Sequence, residues 1–249
     1  MKVEYYKEYS PSLGRDMKLK VFGHAGKPTI VFPSQCGRFY EYEDFGMVNA
    51  AAPFIEDGRI QLFCVDGLDW ETFVSNNWPG DRLYRFEQYF RYVCNEVVPW
   101  ALDYNEWGSH YRAGGVMTTG CSMGALHAAN FFFRRPDIFD AVLAQSGLYS
   151  VRSFFSGECH EDGIYFNSPI EYLANMNDGY TLDLYRRSRI TICVGQGPWE
   201  DECLHDTRVL DKILHKKGIG AWVDYWGHDV QHDWPAWRVQ LPYFLGHML

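Results

Sequence analysis

The chain has 249 residues, 47% hydrophobic and 22% charged, a balance that excludes disordered and collagen-like classes and suits one large α/β domain with a substantial core. A formal net charge of −9 without any Lys/Arg block argues against a nucleic-acid partner, because neutralising phosphates needs a basic surface; neutral or cationic small molecules fit better. Aromatic residues stand out at 17%, enough to line a core and also a pocket for apolar or ring-bearing ligands.

Met1 to Glu8 contain no apolar segment of signal-peptide length, and no stretch reaches transmembrane length. An unsecreted protein with no membrane partner is expected. Val3 to Phe22, broken by Ser10-Pro11-Ser12-Leu13-Gly14, reads as two antiparallel edge strands joined by a turn. Thr29 to Phe32 and Ile60 to Val65 read as buried strands. From Arg82 to Trp100, apolar and aromatic residues recur at three- and four-residue steps, the pattern of an amphipathic helix, with Pro99 marking its end.

Gly115 to Thr119 then forms a strand that runs into Gly120-Cys121-Ser122-Met123-Gly124, followed by the small-residue helix pattern Ala125 to Asn130. Strand, G-x-S-x-G turn and helix together are the context of a nucleophile elbow. The sharp turn strains the serine and exposes its hydroxyl, while side chains at the glycine positions would clash. Further strands are read at Phe139 to Gly147, Ile190 to Val194 and Trp222 to Trp226. Their alternation with helices implies a mostly parallel central sheet with helices on both faces. A single domain over residues 1–249 is expected. The stretch from about 149 to 185, rich in Asn, Gly and aromatics, reads as an insertion with short helices near the site.

A serine nucleophile needs a base and a group that orients the base; in this arrangement the acid and then the histidine follow the serine, each in a loop after a later strand. Of the nine histidines, His24 and His110 precede the elbow, His127 lies in the helix after it, His160 in the insertion, and His205 and His215 on the helix between the last two strands. His228 and His232 closely follow the last strand, and His247 lies near the chain end. The base is His228 or His232, with His232 preferred because His228 abuts the strand end. The loop Gly195-Gln196-Gly197-Pro198-Trp199-Glu200-Asp201-Glu202 offers Glu200 and Asp201 as the acid, Glu200 preferred; either is also suited to capping the next helix. Main-chain amides of Gln35 or Cys36, with that of Met123, are placed to hold an oxyanion. Trp70, Trp78, Trp199 and Trp234 fall in loops beside the site, as an apolar wall or as core anchors.

The seven cysteines, at 36, 64, 94, 121, 159, 193 and 203, show no C-x-x-C spacing and several sit in apolar runs, which fits reduced thiols in a cytoplasm. His205 with Cys203, and His228 with His232, form no complete metal-ligand set, and Pro235 disfavours a helix there; no metal and no cofactor is expected.

With these residues in hand, the sequence resembles the putative esterase family of the α/β-hydrolase superfamily, which includes esterase D-like and feruloyl-esterase-like proteins. The similarity lies in four segments: Val31 to Tyr40 with Glu43-Asp44-Phe45-Gly46, the elbow at Gly120 to Gly124, Gly195 to Glu200, and His232-Asp233-Trp234-Pro235. It implies an α/β-hydrolase fold, Ser122 as nucleophile, His232 as base, Glu200 as acid and the amides of Gln35 and Met123 as oxyanion donors. Relatives often carry Asp where Pro198 stands, and a His-Gly pair where Pro33-Ser34 stands. The expected activity is hydrolysis of a small-molecule carboxylic ester, by default a short-chain acyl ester, through an acyl-enzyme. An acyltransferase with the same residues and a non-catalytic binding protein that keeps the fold are the rival readings, and a homo-oligomer is left open.

Overall fold

The computed structural model describes residues 1–155 and 161–249; Cys159 and His160 lie outside the described residues. The two edge strands form as the alternation predicts: β1 (Val3–Ser10) pairs antiparallel with β2 (Arg15–Phe22). After β3 (Lys27–Phe32) come three short helices, α1 (Glu41–Asp44), α2 (Met47–Ala50) and α3 (Ala52–Glu56), then β4 (Ile60–Val65).

The helix expected over 82–100 is longer than its pattern. It begins as α4 (Pro79–Tyr92), passes through a π-helical turn at Val93–Val97 and continues as α5 (Val98–Ser109). Pro99 therefore does not end the helix. It stands in the first turn after the π-helical stretch, where a missing N–H is tolerated and the register change absorbs the lost i→i−4 bond.

The chain continues through β5 (Val116–Cys121), α6 (Met123–Arg134) and β6 (Phe139–Gln145), then a 3₁₀ turn at Arg152–Phe154 and α7 (Glu161–Tyr165), α8 (Pro169–Asn175) and α9 (Gly179–Arg187). It closes with β7 (Arg189–Val194), α10 (Asp201–Lys216), β8 (Trp222–Tyr225) and α11 (Trp234–Met248). Pro235 was expected to disfavour a helix, yet it stands in the first turn of α11 behind the Asp233 cap, whose carboxylate accepts the Trp234 N–H; a first-turn proline loses no intrahelical bond.

The eight strands form one sheet in the order β1-β2-β4-β3-β5-β6-β7-β8, parallel from β4 to β8. Alternate residues of each strand feed opposite faces. Ile30 and Phe32 of β3 join the larger core with the aromatic faces of α4 and α6, whereas Val31 faces the smaller core of α2, α3 and α11. With both faces covered, the open end at the carboxyl termini of the parallel strands is where loops from several strands converge, the usual ligand position in such sheets.

Candidate active site

The elbow begins where β5 ends. Ser122 has φ 57° and ψ −123°, a conformation that a side chain adopts only under strain. A Cβ on Gly120 would strike the backbone of Gly124, and one on Gly124 would strike the carbonyl oxygens of Phe32 and Pro33. The glycines are thus explained by packing as well as by turning: they let α6 start against the loop that leaves β3. The Ser122 N–H is held by the Gln145 carbonyl at 2.9 Å. Its hydroxyl lies 2.9 Å from His232 Nε2.

His232 is positioned by two loops packed on each other. The acid loop after β7 lies against the segment after β8: Gly197 donates to the Val230 carbonyl at 2.9 Å, and His232 N–H donates to the Pro198 carbonyl at 3.1 Å. A Cβ on Gly195 or Gly197 would collide with that Val230 carbonyl. The Trp237 ring packs edge-on against the imidazole, with centroids 5.0 Å apart.

Glu200 is 1% exposed. It occupies the cap position of α10, but its side chain makes no cap bond and turns inward, with Oε2 3.1 Å from His232 Nδ1. Its Oε1 accepts the Ser146 hydroxyl at 2.6 Å and the Gly195 N–H at 3.3 Å. Trp237 Nε1 donates to Ser146 Oγ at 3.1 Å, which leaves the hydroxyl proton for Glu200. An acceptor-only carboxylate at Nδ1 puts the imidazole proton there and the lone pair on Nε2, facing the serine. The geometry thus joins Ser122, His232 and Glu200 in one hydrogen-bonded chain. Asp201 is the first residue of α10, exposed, and faces a surface hollow with Glu202, His205 and Asp206. His228 is exposed, and its Nδ1 lies 3.1 Å from the Gln196 carbonyl.

The loop after β3 is pinned on both sides of Gln35. Ser34 donates its N–H and its hydroxyl to Glu41, each at 2.7 Å, and Cys36 donates its N–H to Asp69 Oδ2 at 2.8 Å. The Cys36 amide, a candidate oxyanion donor on sequence grounds, is thereby engaged. The Gln35 and Met123 amides have no hydrogen-bond acceptor among the described residues; Met123 opens α6, where the first N–H groups find no intrahelical partner. Gly37 is needed for this pinning, because a Cβ there would meet the Glu41 carboxylate. Burial raises the Glu41 pKa, against the lowering effect of the Ser34 bonds; burial and then Asp69 push the Cys36 thiol up to about 11.

Sequence reasoning missed the support behind this loop. Asp69 is buried and its Oδ1 lies 2.9 Å from His127 Nε2, inside a ring of Phe32, Phe73, Phe86 and Tyr89. His127 Nδ1 is buried with no partner among the described residues; because an orphaned N–H costs more than an orphaned lone pair in such surroundings, the proton sits on Nε2 and is donated to Asp69. Ser146 and Trp237 were missed as well. The only sequence signal for any of them was polar residues within apolar runs: His127 among small apolar helix residues and Ser146 at a strand end.

Of the tryptophans expected at the site, Trp70, Trp78 and Trp199 are exposed, and Trp234 stacks on Phe45 with centroids 4.5 Å apart. The six described cysteines are free, and all but Cys36 are buried. Cys203 does not converge with His205; its Sγ lies 3.9 Å from His232 Nδ1. Among the described residues, no helix is long and apolar enough to cross a membrane.

Residues 10–248 match the family model described as "Putative esterase". No curated protein matches the chain. Among solved structures, a ferulic acid esterase is 19% identical, with 100% of this chain and 99% of that one covered and a TM-score of 0.74. An S-formylglutathione hydrolase from Agrobacterium tumefaciens is 13% identical, covering 99% and 94%, with a TM-score of 0.74. A ferulic acid esterase from Anaeromyces mucronatus, in complex with ferulic acid, is 14% identical, covering 99% and 90%, with a TM-score of 0.69. Identities this low speak for the fold, and the family match over nearly the whole length supplies the rest: the chain has the α/β-hydrolase fold and belongs to the esterase family.

Proposed function

We propose that the chain is a serine carboxylesterase that works through an acyl-enzyme, with Ser122 as nucleophile, His232 as general base and Glu200 as the acid that orients it. The observation that carries this reading is the unbroken chain from Ser122 Oγ to His232 Nε2 at 2.9 Å and from His232 Nδ1 to Glu200 at 3.1 Å. Ser122 Oγ attacks the ester carbonyl while His232 Nε2 takes its proton. The oxyanion is held by the Gln35 and Met123 amides, and His232 returns the proton to the leaving alcohol. Water, deprotonated by the same nitrogen, then releases the acid.

Short-chain acyl esters are the proposed substrates, the generic class for the family. Free, mostly buried thiols support a reducing compartment such as the cytoplasm. The same proposal includes a single domain, supported by the span of the family match, with the insertion at about 149–185 entering beside the site, where the Tyr149 N–H donates to Asp206 of α10.

The test is hydrolysis of p-nitrophenyl acetate together with labelling by a fluorophosphonate. Replacing Ser122 by Ala is expected to abolish labelling and to lower turnover by about 10⁴- to 10⁶-fold, the range for loss of such a nucleophile. Near-normal turnover in that variant would overturn the assignment.

A further inference from the structure

Behind the imidazole, on the side away from Ser122, the structure brings together a second set of atoms. Cys203, in the first turn of α10, holds its Sγ 3.9 Å from His232 Nδ1, and Glu200 Oε2 lies 3.1 Å from the same nitrogen. The thiol, the imidazole nitrogen and a carboxylate oxygen all fall within 4.8 Å of one another. Around a tetrahedral zinc ion, with Zn–S about 2.3 Å and Zn–N about 2.0–2.1 Å, such ligand atoms stand roughly 3.3–3.6 Å apart. The imidazole nitrogen is within a few tenths of an ångström of that spacing from each partner, the thiol and carboxylate need to approach by at most about 1.2 Å, and water supplies a fourth position.

The surroundings suit a cation. Asp201, Glu202 and Asp206, on the helix turns that carry Cys203, line a surface hollow of about 420 Å³ with His205 and Arg152, whose guanidinium pairs with Glu171. A cluster of one sign raises the local concentration of the opposite charge. The thiolate and imidazole select a thiophilic ion such as Zn²⁺ or Cd²⁺ over Mg²⁺ or Ca²⁺, which prefer all-oxygen shells.

We propose that Glu200, Cys203 and His232 form an inhibitory site for a thiophilic divalent cation, through which the ion switches the esterase off. The ion takes the Nδ1 lone pair, so the ring proton moves to Nε2. That nitrogen then donates toward Ser122 Oγ instead of accepting from it, and the general base is lost. Glu200 exchanges the imidazole for the metal, and the Cys203 thiol releases one proton to solvent. Cys203 is buried, so only an ion that binds sulfur strongly displaces its proton.

The regulatory part rests on the esterase reading, whereas binding can be followed without turnover. Co²⁺ added to the wild-type chain and to Ser122→Ala is expected to give a thiolate-to-cobalt charge-transfer band that zinc abolishes and that Cys203→Ser lacks. In the ester assay, each variant normalised to its own metal-free rate, zinc is expected to inhibit wild type and Cys36→Ser alike, to be reversed by EDTA, and to inhibit Cys203→Ser more weakly by at least about 10- to 100-fold, the scale for losing only an outer support of a metal ligand. Absence of the band in wild type overturns the metal site and leaves the esterase reading intact. Equal zinc sensitivity in wild type and Cys203→Ser overturns the inhibitory role. A band without measurable ester turnover supports the site and counts against the esterase reading alone.

Discussion

Two adjacent carboxylates show how one backbone step separates roles. Glu200 and Asp201 stand at the start of the same helix, and the sequence offers both as partners for the histidine. Glu200 turns inward to three donors, from His232, Ser146 and Gly195, whereas Asp201 is exposed at the first helical position. Glu200→Gln keeps an acceptor for Nδ1 but removes the charge that stabilises the imidazolium formed during attack. Its kcat is expected to fall about 10³- to 10⁴-fold, comparable to the loss when a triad acid becomes an amide. Asp201→Asn loses only a favourable interaction with the helix dipole, about 0.3–1 kcal/mol of stability, and its kcat should stay within about twofold of wild type, as for most exposed substitutions. Steady-state kinetics of the pair decides the matter; a larger loss in Asp201→Asn would move the acid to that residue.

At the scale of elements, strain gathers where the loops meet. Among the described residues, five non-glycine positions have positive φ, and four of them, Cys36, Ser122, Ser146 and Trp199, follow the carboxyl ends of β3, β5, β6 and β7. Such conformations persist only where the surroundings over-determine them, and the Asp69–His127 pair is one such determinant: it ties α6 and the 3₁₀ turn after β4 to the loop that offers the Gln35 amide. Asp69→Ala leaves both the Cys36 N–H and the His127 Nε2–H unpaired, at about 1–3 kcal/mol each. An oxyanion donor acts mainly in the transition state, so kcat should drop by about 10- to 100-fold, below the 10²–10³ for deleting such a donor outright, with KM little changed. Asp69→Asn is expected to recover part of the loss: its carbonyl takes the Cys36 N–H, and its amide donates to His127 Nε2, at the cost of moving the ring proton to the partnerless Nδ1. A KM increase without a kcat decrease in Asp69→Ala would sink this account.

For the molecule as a whole, what was legible in the sequence was what repeats or punctuates. Buried strands announced themselves as apolar runs, the elbow and acid loop by glycines that the structure explains through close backbone approach, and the histidine loop by its place after the last strand. Pro99 and Pro235 misled because a proline's effect depends on whether its missing N–H had a partner to lose, which a π-helical turn or a helix start decides and a linear pattern does not. The supports at Asp69, His127, Ser146 and Trp237 come from four distant segments, so no local spacing points to them. Glu41 holds the same loop from nearby in the chain, through Ser34, but its cost is global. Its folded pKa is raised by burial, so the folded chain binds that proton more tightly than the unfolded one. Stability from this group is complete below the ordinary glutamate pKa and is lost as pH rises through the raised folded value. Glu41→Gln preserves the geometry, its carbonyl accepting the Ser34 N–H and its amide donating to the Ser34 hydroxyl, while removing the buried charge. Thermal unfolding of the two proteins across pH should therefore show nearly equal Tm in acid and a Tm advantage for Glu41→Gln that opens through the window and holds at neutral pH. An advantage that is constant with pH, or that shrinks as pH rises, would mean that Glu41 stabilises the loop as an anion and that burial is not its dominant cost.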